Sequence, residues 1–295
     1  LVICLSVVVV QGWHILPWTP LYPVQMQKAE QGDGDQCITL LISNVLTPNH
    51  QSEALISQIQ EHQPDVILTL ESDDWWEKKL DEALADGWPH SVKIPQDNLY
   101  GMHLYSRLTL HDIKVGRLIQ EDIPSIHGLF ELAHGQKIRF HAVHPRPPAP
   151  NESESSLWRD AELLLVSRQI AENDGPTLLF GDLNDVAWSR TTRMFCRVSG
   201  MLDPRRGRGM YSTFNADYRL LRWPLDHIFT SEHFTLGRMQ RLKHIGSDHF
   251  PILATLCYRP SRAEQNDKPT PETGDKEQAR ETIQEAKANP EERND

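Results

Sequence analysis

Asp182 and Asn184 stand directly after an apolar run, in the stretch FGDLND at 180–185. Other polar side chains repeat that placement along the chain. Asn44 follows ITLLIS, Glu71 ends VILTLE, and His144 ends IRFHAVH. Asp226 and His227 sit in PLDHIF, and Asp248 and His249 sit in SDHFPI. Taken singly, each has an ordinary explanation: an Asp after a strand forms a turn or caps a helix, and a strand-end His packs in a core or faces water. Taken together, carboxylates and amide oxygens suit a hard divalent cation, and an Asp beside a His suits proton transfer. Together they offer charge neutralisation, a base to activate water and a proton source, the parts of a metal-assisted hydrolysis.

The elements that would carry these residues follow from hydrophobic periodicity. Strand patterns read at CITLLISNVL, PDVILTLE, HSVKI, LYGMHLYS, LTLHDIKVG, HGLFELA, KIRFHAVH, TLLFGD, LDHIFTS and PILATLCY. Helix patterns read at HQSEALISQIQEHQ, DDWWEKKLDEALADG, SESSLWRDAELLLVSRQIAEN and SRTTRMFCRVSG. Helices interleaved with strands around a strand-rich middle predict an α/β protein. Its expected architecture is a four-layer α/β sandwich, with two packed sheets and helices on the outer faces. The candidate residues then fall at strand ends, where ligands gather in layered α/β proteins. Gly181 lets the backbone bend as TLLF delivers Asp182. Asp185 is expected to cap the following helix, and His227 to point away from Asp226.

At 295 residues, with 39% hydrophobic and 24% charged side chains, the composition is that of a globular protein. The net charge of −11 argues against tight non-specific binding to nucleic acid. Trp188–Arg222 argues the other way, with eight arginines against Asp203 and Asp217. The opening run LVICLSVVVV, followed by Trp13, Trp18 and Tyr22, predicts a truncated membrane helix with an aromatic belt, or a clipped signal segment, over 1–22. An ordinary buried strand is the other alternative. Residues 23–36 read as a linker and 37–258 as the catalytic domain. Residues 259–295, charged and without aromatics, read as a disordered tail, with a short solvated helix at 280–288 as the alternative. Cys37 and Cys257 lie in strands and are expected to be buried thiols, a bridge between them being the lesser alternative.

The ordered strand-end set resembles the endonuclease/exonuclease/phosphatase superfamily of metal-dependent phosphoesterases. The resemblance runs from Cys37 to Tyr258, and GDLND and SDHFPI are its most specific pieces. TLE and LDHIFTS match further family strand ends. HPRPP at 144–148 and DPRRGRGMYSTF at 203–214, followed by LRWPLDHIF, resemble a bacterial branch whose catalytic domain follows N-terminal membrane helices. That resemblance implies a membrane-anchored protein.

The chemistry and the resemblance assign expected roles. Glu71, Asn44 and Asp248 are the expected ligands of Mg²⁺, with Mn²⁺ as a substitute. Asp182 activates water, Asn184 holds phosphate or water, and His249 faces a phosphate oxygen with Asp226 orienting its ring. His144 corresponds to the family's second histidine. Arg205, Arg206 and Arg208 are expected to bind the non-reacting part of a polyanionic substrate. Tyr100 and Tyr105 read as packing residues, and His103, His141 and His244 as structural or exposed. No H-E-x-x-H and no thiolate pattern speaks for zinc. The expected function is a phosphodiesterase or nuclease; the expected partners are a phosphoester such as nucleic acid or a phospholipid headgroup, and a membrane through the N-terminal segment. The alternative is a membrane-tethered, non-catalytic binding domain of the same fold.

Overall fold

The computed structural model describes residues 2–30, 36–148 and 155–289. Parts of the expected linker (31–35), of the serine-rich lead into the third helix (149–154) and of the tail (290–295) lie outside the described residues.

Strands β1 (Cys37–Asn44), β2 (Val66–Leu70), β3 (His90–Ile94) and β4 (Met102–Ser106) join β10 (Phe234–Arg241) and β11 (Ile252–Tyr258) in one sheet, ordered β10-β11-β1-β2-β4-β3. Strands β5 (Thr109–Gly116), β6 (Ser125–Glu131), β7 (Lys137–Ala142), β8 (Thr177–Asp182) and β9 (Asp226–Thr230) form the second sheet, in chain order. Side chains alternate across each strand. Leu40 and Ile42 therefore enter the core between the sheets, while Leu41 faces outward. Phe130, Phe140 and Phe180 stack in that inner core, with centroids 4.1 Å apart for the first pair. Helices α2 (Ser52–His62) and α3 (Asp74–Leu84) cover the outer face of the first sheet through Leu55, Ile59, Trp76 and Leu80. Helices α4 (Leu157–Ala171) and α5 (Arg190–Ser199) cover the second through Leu163, Val166 and Phe195. The result is the expected four-layer sandwich.

Helix limits follow local chemistry. Asp73 caps α3 by accepting from the Trp76 N–H, and Ser189 caps α5 by accepting from Thr192. Gly200 ends α5 in the left-handed conformation.

One strand was not foreseen, and four expectations need correction. Strand β10 carries no clean strand pattern, because a bulge between Leu236 and Arg238 breaks the alternation at Gly237. Cys37 and Cys257 face each other in the β1–β11 register and are joined as a disulfide. The described part of the 23–36 stretch is docked: Met26 is fully buried, and Ala29 and Leu236 share backbone hydrogen bonds through Gln27 and the β10 edge. The tail is ordered over α6 (Asp275–Ala288), whose Ala279 and Ile283 pack with Leu164, Met194 and Val198. At the other end lies α1 (Val2–Ile15). No helix among the described residues is long and apolar enough to cross a membrane, so the membrane-anchored placement is corrected. Trp18 does not join an interfacial belt. It is buried, and its indole N–H donates to Asp203 at 2.8 Å.

Candidate active site

Parallel pairing of β1 with β2, and of β7 with β8, brings four strand ends to one side of the sandwich. Asn44 ends β1, Glu71 follows β2, His144 lies two residues past β7, and Asp182 ends β8. Strand β9 runs antiparallel to β8, so its first residue, Asp226, pairs with Asp182. Strand β11 runs antiparallel to β1, which returns the preceding SDH triplet to the same end. Ser247, absent from the expected set, ties that triplet down. Its hydroxyl donates to the Asn44 carbonyl at 2.8 Å and accepts from the His249 N–H at 3.0 Å.

The backbone at these ends is specialised. Gly181 has φ of +148°, and a Cβ there would lie 1.9 Å from the Val143 carbonyl oxygen. Only glycine fits, so TLLFGD needs its Gly for close approach as well as for bending. Glu71 and Asn184 take φ of 57° and 50°. Such left-handed conformations are uncommon for non-glycine residues, Asn tolerating them best.

The side chains form one connected polar chain. Asn44 Nδ2 donates to Glu71 Oε1 at 2.6 Å and to Asp182 Oδ2 at 3.2 Å. Its Oδ1 accepts from the Leu46 N–H at 3.1 Å. That orientation follows from chemistry, since the reversed amide would set an oxygen against two carboxylates. Asn44 therefore holds the two acids together, and its oxygen is engaged elsewhere. Asp182 Oδ1 accepts from the Asn184 N–H at 2.9 Å, and Asn184 Nδ2 donates to the Pro145 carbonyl at 3.0 Å. His249 Nε2 lies 3.5 Å from Asp182 Oδ2, and its Nδ1 lies 2.8 Å from Asp226 Oδ2. His144 Nε2 lies 3.9 Å from Asp182. One ligand atom each from Asp182, Asp226 and His249 fall within 4.8 Å of one another. Asp248 stands half-buried at the rim, where its charge reaches Glu71 and Asp182.

Burial and neighbouring charge set the protonation of this chain. Burial pushes the Glu71 carboxyl up to about 7, against the pull of the Asn44 hydrogen bond. Burial works against the His249 cation too, but Asp226 and Asp182 beside it hold its pKa up, at about 10. Burial alone would raise Asp182, yet the charges of His249 and His144 bring it below the usual carboxylate range. Desolvation lowers His144. The resting site thus pairs an ionised acid with a charged imidazole. Two carboxylate oxygens, Glu71 Oε2 and Asp226 Oδ1, are buried without a hydrogen-bond partner. A buried anionic oxygen left alone is costly, so each invites a proton, a water or a cation.

The arginine loop does not belong to this site. Arg205 is fully buried, its guanidinium bonded to both carboxylate oxygens of Asp203 at 2.9 Å, to the Asp226 carbonyl and to His227 Nδ1. Arg208 donates to the carbonyls of Pro204 and Met26, and Arg206 lies over the rings of Trp18 and Tyr22. The three act as a clamp on the N-terminal segment. His227 points away from Asp226 as expected, toward the Asp185 carbonyl at 2.8 Å. Asp185 accepts from the hydroxyls of Ser189 and Thr192, supporting the α5 cap from one turn back. Tyr105 bonds Asp81 on the outer face of the first sheet, whereas the Tyr100 ring lies 5.5 Å from His144. His103 and His141 are buried. Phe214 packs 4.9 Å from the His249 ring, a contact no local sequence signal foretells.

Residues 36–249 match the sequence profile of the Endonuclease/Exonuclease/phosphatase family. No curated protein matches the chain. Among solved structures, zebrafish (D. rerio) TDP2 complexed with single strand DNA product aligns with a TM-score of 0.63 at 17% identity, over 75% of this chain and 99% of that one. The human Nocturnin catalytic domain with bound sulfate aligns with a TM-score of 0.62 at 16% identity, over 76% of this chain and 95% of that one. A mannosyl-6-phosphatase of Bacteroides thetaiotaomicron aligns with a TM-score of 0.58 at 20% identity, over 75% of this chain and all of that one. These likenesses are of fold, and the profile match adds the family: the chain belongs to the Endonuclease/Exonuclease/phosphatase family.

Proposed function

We propose that the protein hydrolyses a phosphodiester with the help of a divalent cation, Mg²⁺ or, as a substitute, Mn²⁺, and that the substrate is a nucleic-acid strand. One observation carries the reading: Glu71 Oε2 is buried, unpartnered and next to the Asp182–His249–Asp226 chain. Glu71 would hold the cation, with Asp248 at the rim supplying further negative charge. Asp182, Asp226 and His249 are the group whose ligand atoms lie within 4.8 Å of one another. Their atoms already face one another at hydrogen-bond or ion-pair distance, which favours a proton relay over a metal cage. A bound divalent cation would supply Lewis-acid neutralisation of phosphoryl charge.

The protein's own groups account for the remaining chemistry. Ionised Asp182 takes the proton of the attacking water, as a general base must. Asp226 occupies His249 Nδ1 and so fixes Nε2 as the atom turned to the site. From Nε2 the charged ring presents its proton to a phosphate oxygen or to the leaving oxygen as its P–O bond breaks. Asn44 keeps Glu71 and Asp182 at fixed separation, and Asn184 anchors the Asp182 turn to Pro145. The fold likeness to TDP2, solved with a single-strand DNA product, supports a strand as substrate.

The test is Glu71→Gln, which keeps the shape and the Asn44 contact. Mg²⁺ and Mn²⁺ affinity by titration calorimetry should fall by more than the ~10-fold that loss of even an outer-shell partner costs, and turnover of a single-stranded oligonucleotide should collapse. Unchanged cation affinity, or full turnover in excess EDTA, would refute the proposal.

A further inference from the structure

We propose that Arg219, Arg222 and Arg241 form a subsite for the phosphates flanking the scissile one in a single-stranded nucleic acid. The inference rests on the phosphodiesterase reading above and extends it to where the strand runs. It also relocates the basic patch that the sequence placed on Arg205, Arg206 and Arg208.

An open cleft of about 630 Å³ lies beside the site, walled by Tyr211, Leu220 and Met239 and edged by the three arginines. Its connection to the chemistry is one residue long. Phe250, next to His249 in sequence, carries the Arg222 guanidinium at 4.8 Å and the Arg241 guanidinium at 4.4 Å from its ring centroid. Phe214, which packs on His249, pairs through its backbone with Trp223 and so fixes the far wall of the same loop. Among the described residues, none of the three arginines makes an ion pair. Arg222 is positioned by the carbonyls of Tyr218 and Ala216, and Arg241 by that of Ser212, which leaves donors of both forks unused.

Asp217 lies on the same loop but forms no ion pair with them among the described residues, so the two like charges held over one ring are eased by a shared anion. The chain as a whole carries −11, so an uncompensated basic cleft is a local exception to its own field. Guanidinium forks match phosphate oxygens bidentately. Tyr218 and Trp223 are 60% and 38% exposed on the same loop, and such rings give bases a stacking face. Two anchored guanidiniums, Arg222 and Arg241, at an open cleft beside exposed rings fit a strand, and Leu220 and Leu221 are exposed at the same edge.

The test compares Asp182→Asn protein, used as a non-cleaving parent, with the same protein carrying Arg219→Ala, Arg222→Ala and Arg241→Ala. The probe is a fluorescein-labelled single-stranded oligonucleotide, read by anisotropy across a salt series. Each lost phosphate contact lowers the slope of log affinity against log salt by ~0.7, so three contacts lower it by roughly 2 and weaken binding roughly 100-fold at 0.1 M salt. Arg219→Ala alone, at an exposed position, should give about one third of the slope change. Hydrolysis of bis-p-nitrophenyl phosphate by protein that keeps Asp182 and carries only the three arginine substitutions should match wild type, because that diester has no flanking phosphate. An unchanged oligonucleotide slope overturns the subsite. So does a variant that loses binding to phosphatidylglycerol vesicles while keeping the oligonucleotide. If wild type cleaves neither substrate, the catalytic proposal fails, while the anisotropy result still decides the subsite.

Discussion

Glu162 offers a measurement that isolates one buried charge. It sits on α4 with only 2% of its surface exposed, and its Oε1 has no hydrogen-bond partner. Burial alone pushes its carboxyl from 4.5 up to about 8. A folded-state pKa above the unfolded value gives stability that is fully present below the unfolded pKa and lost as pH rises through the folded one. The loss therefore runs between pH 4.5 and about 8. At ~1.4 kcal/mol per pH unit, it reaches at most about 5 kcal/mol, and relaxation of the site brings that to a few. Glu162→Gln keeps the shape and removes the titration. At pH 5, where only the first part of that stability is lost, the variant and wild type should melt within ~3 °C of each other. At pH 8 the variant should melt higher by roughly 5–10 °C, since ~1 kcal/mol moves a domain of this size by ~2–4 °C. Scanning calorimetry from pH 5 to 8 on both proteins is the assay. Difference-of-Tm values that stay flat across that range would refute the argument, because carboxylates elsewhere titrate equally in both proteins and cancel.

Asp182→Asn and His249→Ala should each lower single-turnover cleavage by ~10²-fold or more, as lost acid–base groups do, with oligonucleotide affinity changed far less; wild-type rates at saturating metal would dismiss the assignment. Arg205→Ala should destabilise the fold by ~3–5 kcal/mol in urea, because it leaves Asp203 buried and unpaired, and KM should stay at the wild-type value if the domain remains folded. Reducing the Cys37–Cys257 bond, which spans 220 residues of chain, should cost ~2–4 kcal/mol of stability; equal urea midpoints with and without reductant would argue against it.

The strand-end chemistry was legible because apolar runs stop abruptly at polar residues. Asn44, Glu71, His144, Asp182, Asp226 and His249 each follow or precede a buried strand, and a layered α/β fold sends such ends to one side. Alternation and helical spacing likewise determined the sandwich, since side-chain period follows from backbone geometry. Other features depended on contacts between distant segments. Arginine count could not say that Arg205 turns inward, because its burial requires Asp203 and His227 to meet it. Strand β10 is held by pairing with β11 across a bulge that erases its local pattern. Helix α6 carries Ala279, Ile283 and Ala286 at helical spacing, but that stripe is too small to signal a core position until Leu164 and Met194 cover it. Cys37 finds Cys257 only through the β1–β11 register. Local periodicity is written in neighbouring residues, whereas burial, pairing and charge compensation belong to whichever distant residues the fold brings within a few ångströms.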